Sequence, residues 1–375
     1  MSQLIGKRIW TPLAFITLLA LCPGAAQAQS APVVSIRLPE RFRLLTGQQF
    51  DLRVEAAGLT SEQPRIAVAL QGPATEALRL PAPEIADDVD SDPASRDRVW
   101  TFRTLQFTTP GVKTLKVTIS DGDRQTAATE RVAVQAFQRK PGTSVILFIG
   151  DGMGNAYRDA GRIVAGSTRN RFREGFLDQL QEMDSLPVSG MVMTYASDRV
   201  VPDSANTAAA WATGNKTTEG TLSVFPDSDD FRYDSSKIQT TKQYALNNPR
   251  VETLWEYLKR RFNYRTGIVT TSDVTDATPA AEGSHSLTRT LQYDIARQMV
   301  DGSFTPGPVF DVILGGGRER FLDRTQANSG DERNLAKELQ DGQFQFVESR
   351  KDLKLLAAGT KLPDKMLGLF RTRAC

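Results

Sequence analysis

Three short stretches of the chain combine oxygen-bearing side chains with small residues in patterns that suit a catalytic site. In the first, Asp151 lies between Gly150 and Gly152, directly after the apolar run 145–149. An unbroken apolar run that stops at glycines is typical of a strand buried on both faces of a parallel sheet. Asp151 would then lie at the carboxyl end of that strand, where open α/β sheets place their ligands. An ordinary Asp-Gly turn is the alternative interpretation.

The second stretch places Asp203 and Ser204 before an alanine-rich segment that stops at Gly214. This composition predicts a helix with Ser204 as its N-cap and Gly214 as its terminator. A hydroxyl at that position lies among free N–H groups at the positive end of the helix dipole, which suits a bound phosphate. A nearby divalent cation could make Ser204 a nucleophile, although capping alone also accounts for the pattern.

The third stretch contains Asp276 and Thr278 and follows the run 266–271, which predicts another strand. A structural interpretation makes Thr278 the N-cap of a helix with Pro279 at its first position. A functional interpretation uses the side-chain oxygens of Asp276 and Thr278 as ligands of a hard cation such as Mg²⁺, directly or through water. Both interpretations stay open on this pattern alone.

The elements that must position these side chains alternate along residues 144–375. Helical spacing or composition predicts helices at 155–165 and 251–262. Apolar runs predict strands at 145–149, 188–196, 266–271 and 309–314. Strands that alternate with helices favour an α/β domain with a mainly parallel sheet flanked by helices.

Residues 31–137 have a different pattern. Polar and apolar residues alternate in segments such as 50–54 and 114–119, and turn signals recur about every ten residues. This pattern predicts an all-β immunoglobulin-like sandwich. The stretch contains no metal-ligating or nucleophilic constellation, and a polar linker, 138–142, follows it. We therefore expect an accessory or spacer module.

The first 28 residues have the features of a secretory signal peptide. Lys7 and Arg8 precede the apolar stretch 9–21, and an Ala-x-Ala site ends at Ala28. We expect cleavage there and export to the periplasm or beyond, with no membrane span in the mature chain. Cys375 would be its only cysteine, which excludes an intramolecular disulfide. The formal net charge of +2 gives no reason to expect a nucleic-acid partner.

Together, the three stretches resemble the alkaline phosphatase family. The matching segments occur in the family's order, and together they are highly specific: Phe148–Gly154, Asp203–Ala208 and Asp276–Ala280. The resemblance covers residues 144–370, which correspond to the first part of the family's catalytic domain. It implies hydrolysis of small phosphate monoesters and suggests a homodimer. Related hydrolases of diesters, sulfates or phosphonates, and a non-catalytic exported protein that binds phosphate or a surface, remain alternatives.

The resemblance also implies a metal set of two zinc ions and one magnesium. Asp151 would bridge one zinc and the magnesium. Thr278 would ligate the magnesium, with Asp276 behind it.

For the phosphate, the resemblance implies that Ser204 is the nucleophile, which becomes phosphoserine during turnover. Arg289 would clamp the substrate phosphate with its planar fork of donors, and Asp203 would orient that arginine.

The chain departs from the family pattern in its histidines. The family's remaining ligands, among them three histidines, come from a later part of the domain, whereas this chain has one histidine, His285. We expect His285 to be a partly buried imidazole with a structural hydrogen bond. Two zinc sites cannot be assembled from the residues present, because catalytic zinc commonly has about three protein ligands. We therefore expect a domain truncated at its C-terminus by a lost or frameshifted segment, and a chain that is inactive as written.

Overall fold

The protein is described by a computed structural model over residues 31–72, 76–87, 96–168, 180–227, 246–323, 332–359 and 361–370. The predicted signal peptide, residues 1–28, lies outside the described residues, so its cleavage stays a prediction. Across the described ranges, no helix has both the length and the apolar character needed to cross a membrane.

Residues 33–135 form two four-stranded sheets. Their orders are β1-β3-β6-β5 and β2-β8-β7-β4, and all pairings are antiparallel except that of β2 with β8. The strands are β1 Val33–Arg37, β2 Arg43–Leu45, β3 Gln49–Leu59, β4 Arg65–Gln71, β5 Glu84–Asp87, β6 Arg96–Gln106, β7 Gly111–Asp121 and β8 Arg124–Gln135.

The two sheets share one apolar core. Alternate residues of β3 and β7 are fully buried in it, and these include Leu52, Val54, Leu115 and Val117. Period-two alternation produces this result because successive side chains of a strand point to opposite faces. The immunoglobulin-like assignment of the sandwich stays a prediction.

The second face of β3 is also buried, although it carries charged side chains. Asp51, Arg53 and Glu55 are 1%, 3% and 7% exposed. Arg53 forms an ion pair of 3.1 Å with Asp227, and Asp51 forms one of 2.8 Å with Arg250. The sandwich is thus held against the C-terminal half by buried ion pairs.

Backbone and apolar contacts join the same two regions. Phe50 forms an antiparallel bridge with Val251, and the Glu252 N–H donates to the Gln49 carbonyl over 2.9 Å. Val251 and Phe225 belong to the apolar core of the sandwich. The sandwich therefore packs directly against the C-terminal half, whereas the polar linker suggested a separate spacer module.

The C-terminal half contains a parallel sheet with the order β11-β12-β10-β9. Helices precede and separate its strands. The elements are α1 Asn155–Thr168, α2 Ser204–Thr213, α3 Leu254–Phe262, β9 Gly267–Asp273, α4 Ala277–Ala280, α5 Gln292–Asp301, β10 Val312–Gly316, α6 Leu335–Asp341, β11 Gln345–Val347, α7 Arg350–Ala357 and β12 Met366–Leu369, with 3₁₀ turns at Glu182–Ser185 and Arg318–Phe321.

Two of the predicted strands are not strands in the structure. The segments 145–149 and 188–196 form no ladder, and Phe148 and Val192 are 89% and 85% exposed. A strand of this apolar kind needs paired neighbours and a cover on both faces. Among the described residues, the sheet ends at β9, so neither segment has such a neighbour. The predicted helices at 155–165 and 251–262 and the predicted strands at 266–271 and 309–314 are confirmed, with ends shifted by a few residues.

Candidate functional site

Helix α2 begins at Ser204, but its N-cap is Asp203. The Asp203 carboxylate accepts hydrogen bonds from the backbone N–H groups of Ala205 and Asn206, at 3.1 and 3.2 Å. The Asn206 side chain in turn accepts from the Asp203 N–H at 2.9 Å. The prediction of Ser204 as N-cap is therefore wrong, because the longer acidic side chain takes that role. Gly214 ends the helix with a φ of 80°, as predicted.

Capping by Asp203 leaves the Ser204 hydroxyl available to Arg289. Arg289 Nη1 donates to Ser204 Oγ at 2.9 Å and to Asp203 Oδ2 at 3.3 Å. Arg289 Nη2 donates to Asp276 Oδ1 at 2.5 Å. Burial disfavours the charge of Arg289, yet its hydrogen bonds and ion pairs with Asp276 and Asp203 hold its pKa above the ordinary value. A permanent cation thus lies beside the hydroxyl.

Asp276 is the N-cap of α4, the position that the sequence assigned to Thr278. Its carboxylate accepts from the Ala277 N–H at 2.8 Å and from Ser272 Oγ at 2.9 Å. Burial raises the pKa of Asp276, but the Ala277 N–H, Arg289 and Ser272 lower it by more, so the net shift is downward. The carboxylate is thereby held ionised between β9 and Arg289.

Thr278 lies in the short helix α4, and its hydroxyl faces a distant segment. Thr278 Oγ1 donates to Asp151 Oδ2 over 2.7 Å, across 127 positions of the chain. The helix ends at Ala280, so Arg289 is not carried about 16 Å away along a straight axis, as continuous helix would require. The early end of α4 lets Arg289 return to Asp276.

Hydrogen bonds link the six predicted site residues into two groups. One group contains Asp151 and Thr278; the other contains Ser204, Arg289, Asp203 and Asp276. Only Ala277 separates Asp276 from Thr278 in the sequence, which brings the two groups together at the carboxyl end of β9. The roles of these residues in chemistry stay predictions.

His285 is separate from both groups. It is 2% exposed, with Nδ1 at 2.9 Å from the Ser223 carbonyl oxygen and Nε2 at 3.0 Å from Glu256 Oε2. Burial opposes the charge of Glu256, but the neighbouring His285 keeps its pKa below the ordinary value. The prediction of a structural imidazole is confirmed, and its burial is complete rather than partial.

The donors suit the two implied metals differently. Asp151 and Thr278 are hard oxygen donors at hydrogen-bond distance, which fits magnesium. For zinc, the described ranges contain no group of three or more His, Cys, Asp or Glu residues that could hold a metal ion. The zinc ligand set is therefore not met by the described residues.

A cavity of about 490 Å³ opens beside this site. Asp151, Asp276, Thr278 and Ser272 line it, together with Glu282, which the sequence analysis did not single out. The Glu282 carboxyl is buried, and burial raises its pKa to about 8, against a smaller opposing effect of its hydrogen bond from Trp211. The available sequence signal was an acidic residue four positions after Thr278, in an otherwise small and apolar segment.

Comparison with known proteins gives consistent matches. The profile of the family described as alkaline phosphatase matches residues 143–374. Alkaline phosphatase 4 of Drosophila melanogaster is 32% identical over 277 residues, covering 64% of this chain and 43% of the relative. Streptomycin-6-phosphate phosphatase of Streptomyces griseus is 32% identical over 262 residues, covering 65% of this chain and 51% of the relative.

Among solved structures, the alkaline phosphatase of the Antarctic bacterium TAB5 is 24% identical and covers 57% of this chain and 51% of its own, with a TM-score of 0.40. A mutant of that enzyme contains Mg in its M3 site. The chain spans about half the length of the curated relatives it matches. The profile match covers well over half of the chain's 375 residues, and on that ground the chain belongs to the alkaline phosphatase family.

Proposed function

We propose that this site hydrolyses phosphate monoesters through a phosphoserine at Ser204. The observation that carries the proposal is the 2.9 Å hydrogen bond from Arg289 Nη1 to Ser204 Oγ. A guanidinium beside a hydroxyl in the first turn of a helix offers donors for phosphate oxygens next to a nucleophile. Relatives named as phosphatases, at 32% identity, support the same chemistry.

Arg289 would bind and orient the phosphate. Arg289 forms one ion pair through Nη1 with Asp203 and another through Nη2 with Asp276, and together they fix the plane of the guanidinium. Phosphate oxygens would replace Ser204 Oγ as acceptors, which frees the hydroxyl to attack phosphorus. A fixed cation at this point stabilises the charge that develops on the transferring phosphoryl group.

The reaction would proceed in two steps, transfer of the phosphoryl group to Ser204 and hydrolysis of the phosphoserine. First, the bond from Ser204 Oγ to phosphorus forms, the ester P–O bond breaks, and the serine proton passes through solvent to the leaving oxygen. Then water attacks the phosphoserine, which restores the Ser204 hydroxyl and releases inorganic phosphate. His285 is engaged by Ser223 and Glu256, so it is not the base for Ser204.

Zinc and magnesium are the metals of the family. In this chain, Asp151 and Thr278 would hold magnesium, which would supply positive charge and an acidified water next to the phosphate. No step of the reaction is assigned to zinc, because the described residues do not provide its ligands. We infer that these 375 residues by themselves bind phosphate and phosphorylate Ser204 slowly, with little turnover.

The test is trapping of the phosphoserine. After prolonged incubation of the full chain with a labelled phosphate monoester and magnesium, we expect label on Ser204 by mass spectrometry and none in Ser204→Ala. Ser349→Ala is the matched control, because Ser349 also lies at a helix N-terminus, as the N-cap of α7, and its hydroxyl contacts Asp352 instead of an arginine. Label on another residue would contradict the proposal.

A second measurement separates turnover from binding. With zinc and magnesium added, we expect no more chromogenic alcohol from its phosphate ester than the stoichiometric amount released when Ser204 is phosphorylated. Sustained turnover at a typical rate for the family would overturn the inferred lack of turnover. Phosphate binding that persists in Ser204→Ala, with no label in the wild type, would instead favour the alternative of a phosphate-binding protein.

The cellular location is a further part of the proposal. The charged start, apolar stretch and Ala-x-Ala site within residues 1–28 support export to the periplasm or beyond. N-terminal sequencing of the exported protein should begin at Gln29. An N-terminus at Met1 would contradict it.

A further inference from the structure

Helix α2, which carries Ser204, has few side chains that could fix its position along its own axis. Most of its buried residues are alanines, and Trp211 is its one large side chain. Alanine ridges are shallow, so they interlock little with the grooves of a neighbouring helix and resist sliding weakly. Trp211 lies in the last turn, where its indole donates to Glu282 at 2.6 Å. The position of Ser204, in the first turn, therefore depends on how the two ends of the helix are held.

The sandwich holds the C-terminal end of α2 through Asn215. The Asn215 side-chain amide donates to the Arg43 carbonyl at 2.8 Å, and its oxygen accepts from the Arg43 N–H at 2.8 Å. Arg43 begins β2, so this side chain exchanges two hydrogen bonds with a strand residue as a paired strand would. The same amide donates to the carbonyl of Thr213, the last residue of α2, at 3.0 Å. Strand and helix are thus joined across 172 positions of the chain.

Gln48, between β2 and β3, adds a second contact to the same helix end. Its Nε2 donates to the Glu252 carbonyl at 2.7 Å and to the Thr213 carbonyl at 3.4 Å, while its Oε1 accepts from the Leu45 N–H at 2.8 Å. Gln48 and Asn215 are 3% and 4% exposed. Loss of either buried amide would leave backbone groups without a partner, which is costly. Two contacts that depend on the sandwich therefore converge on the last residue of α2.

The segment 214–220 leads from Asn215 back to the site. At its end, the Gly220 N–H donates to Asp203 Oδ1 at 3.2 Å, and the Gly220 carbonyl accepts from the Arg289 N–H at 3.0 Å. Asp203 also caps the other end of α2. Helix and returning segment are thus two arms that leave Asn215 and reach the same aspartate–arginine pair.

We propose that Asn215 and Gln48 make the sandwich a positioning platform for Ser204. Both residues act through α2, whose axis is about 14 Å long between Ser204 and Thr213, and neither belongs to the site itself. A misplacement of about 1 Å between reacting groups can lower a rate by about 100-fold. The inference rests on the proposed role of Ser204, and it gives the sandwich a part in the reaction in place of the expected accessory role.

The first test measures protection of the site rather than chemistry. Hydrogen exchange, followed by mass spectrometry, compares the full-length wild type with Asn215→Ala. The peptides of interest contain Asn206 and Gly220, whose N–H groups donate to Asp203 at the site. We expect these N–H groups to exchange about 10-fold faster in Asn215→Ala, because both arms lose their common anchor.

Asn334→Ala is the matched control. Asn334 also bonds a backbone group at a helix end, since it caps α6 by accepting from the Lys337 N–H at 2.9 Å. Both site peptides should keep their wild-type exchange in this control. Gln48→Ala is a second variant that should act in the same direction as Asn215→Ala, although Gln48 lies in the sandwich. Circular dichroism establishes that each variant is folded.

The second readout is the rate at which a phosphate monoester labels Ser204. At saturating ester we expect this rate to fall about 10-fold in Asn215→Ala and Gln48→Ala, because the hydroxyl is displaced from the bound phosphorus. The half-saturating ester concentration should stay close to that of the wild type, because Arg289 keeps its carboxylate partners. A mere loss of stability would reduce the amount of labelled protein but leave the rate constant of the folded fraction unchanged.

Two outcomes overturn the inference: wild-type exchange of both site peptides in Asn215→Ala and Gln48→Ala, or an unchanged labelling rate constant in both variants. A wild type without label on Ser204 would refute the phosphoserine proposal alone. Hydrogen exchange would still report whether the sandwich holds the site, so either proposal can fail while the other stands.

Discussion

The sandwich and the α/β half use apolar strands differently. In the sandwich, β7 and β8 pair over their whole length across a turn at 121–124. In the α/β half, Ile313 of β10 pairs with Ile268 and Leu367, each some fifty positions away. Antiparallel neighbours can form through short turns, whereas parallel neighbours require long crossovers. Strand pairing in the α/β half therefore depends on distant segments.

The two regions also differ in the exposure of their apolar side chains. Leu52, in an alternating strand of the sandwich, is fully buried, whereas Phe148, in an unbroken apolar run, is 89% exposed. An apolar run shows that a segment can be buried, but burial occurs only where neighbouring strands and covering layers are present. An apolar surface of this kind is also an aggregation hazard.

The largest expected effect tests whether the two regions are one unit. Asp51 accepts hydrogen bonds of 2.8 Å from Arg250 and from Arg103. Asp51→Ala leaves two partly buried guanidinium groups without their shared partner and should lower the free energy of unfolding by about 3–5 kcal/mol. Urea denaturation followed by circular dichroism measures this. In the control Asp87→Ala, which breaks an exposed ion pair with Arg98, the loss should stay below about 1 kcal/mol.

If Asp51→Ala unfolds within about 1 kcal/mol of the wild type, the interface contributes little. The sandwich would then be a spacer after all.

The second prediction compares the two apolar patterns directly. Leu52→Ala removes a fully buried side chain and should cost about 2–5 kcal/mol. Phe148→Ala removes an exposed one and should change the free energy of unfolding by less than about 0.5 kcal/mol. The same denaturation assay reports both. A large loss in Phe148→Ala would show that the run 145–149 is buried in solution.

The smallest expected effect is a difference in pH dependence, measured with a chelator present. The pKa of Glu282 is raised from 4.5 to about 8 by burial, so its neutral form favours folding below pH 4.5. That contribution is lost as pH rises towards 8, where the buried carboxyl ionises. Glu282→Gln should therefore raise the melting temperature at pH 8 but not at pH 4.5. An equal change at both pH values would contradict this.

The sandwich should show the opposite dependence. Burial would raise the pKa of Asp121, but the N–H groups of Thr60 and Ser61 and the Arg124 side chain lower it to about 2. Its contribution to stability is present above the ordinary pKa of 3.8 and is lost as pH falls towards 2. Asp121→Asn should thus matter more at pH 6 than at pH 2.

The sequence by itself determined the local features of this protein. Alternation in β3 and β7, the terminating glycine of α2 and the three motifs around Asp151, Ser204 and Thr278 could all be recognised within a few residues. They could be recognised because backbone periodicity, turn chemistry and motif spacing act over short stretches of chain. The family followed from the order of the motifs.

Only the tertiary structure decided which side chains are partners. Asp51 meets Arg250 across 199 positions of the chain, and the charged face of β3 is buried at this contact. Asp203 and Asp276 take the capping roles expected of Ser204 and Thr278, and Arg289 binds both carboxylates from a distant part of the chain. Glu282 was found only through its burial beside a cavity. Burial and charge pairing depend on segments far apart in sequence, so no local pattern contains them.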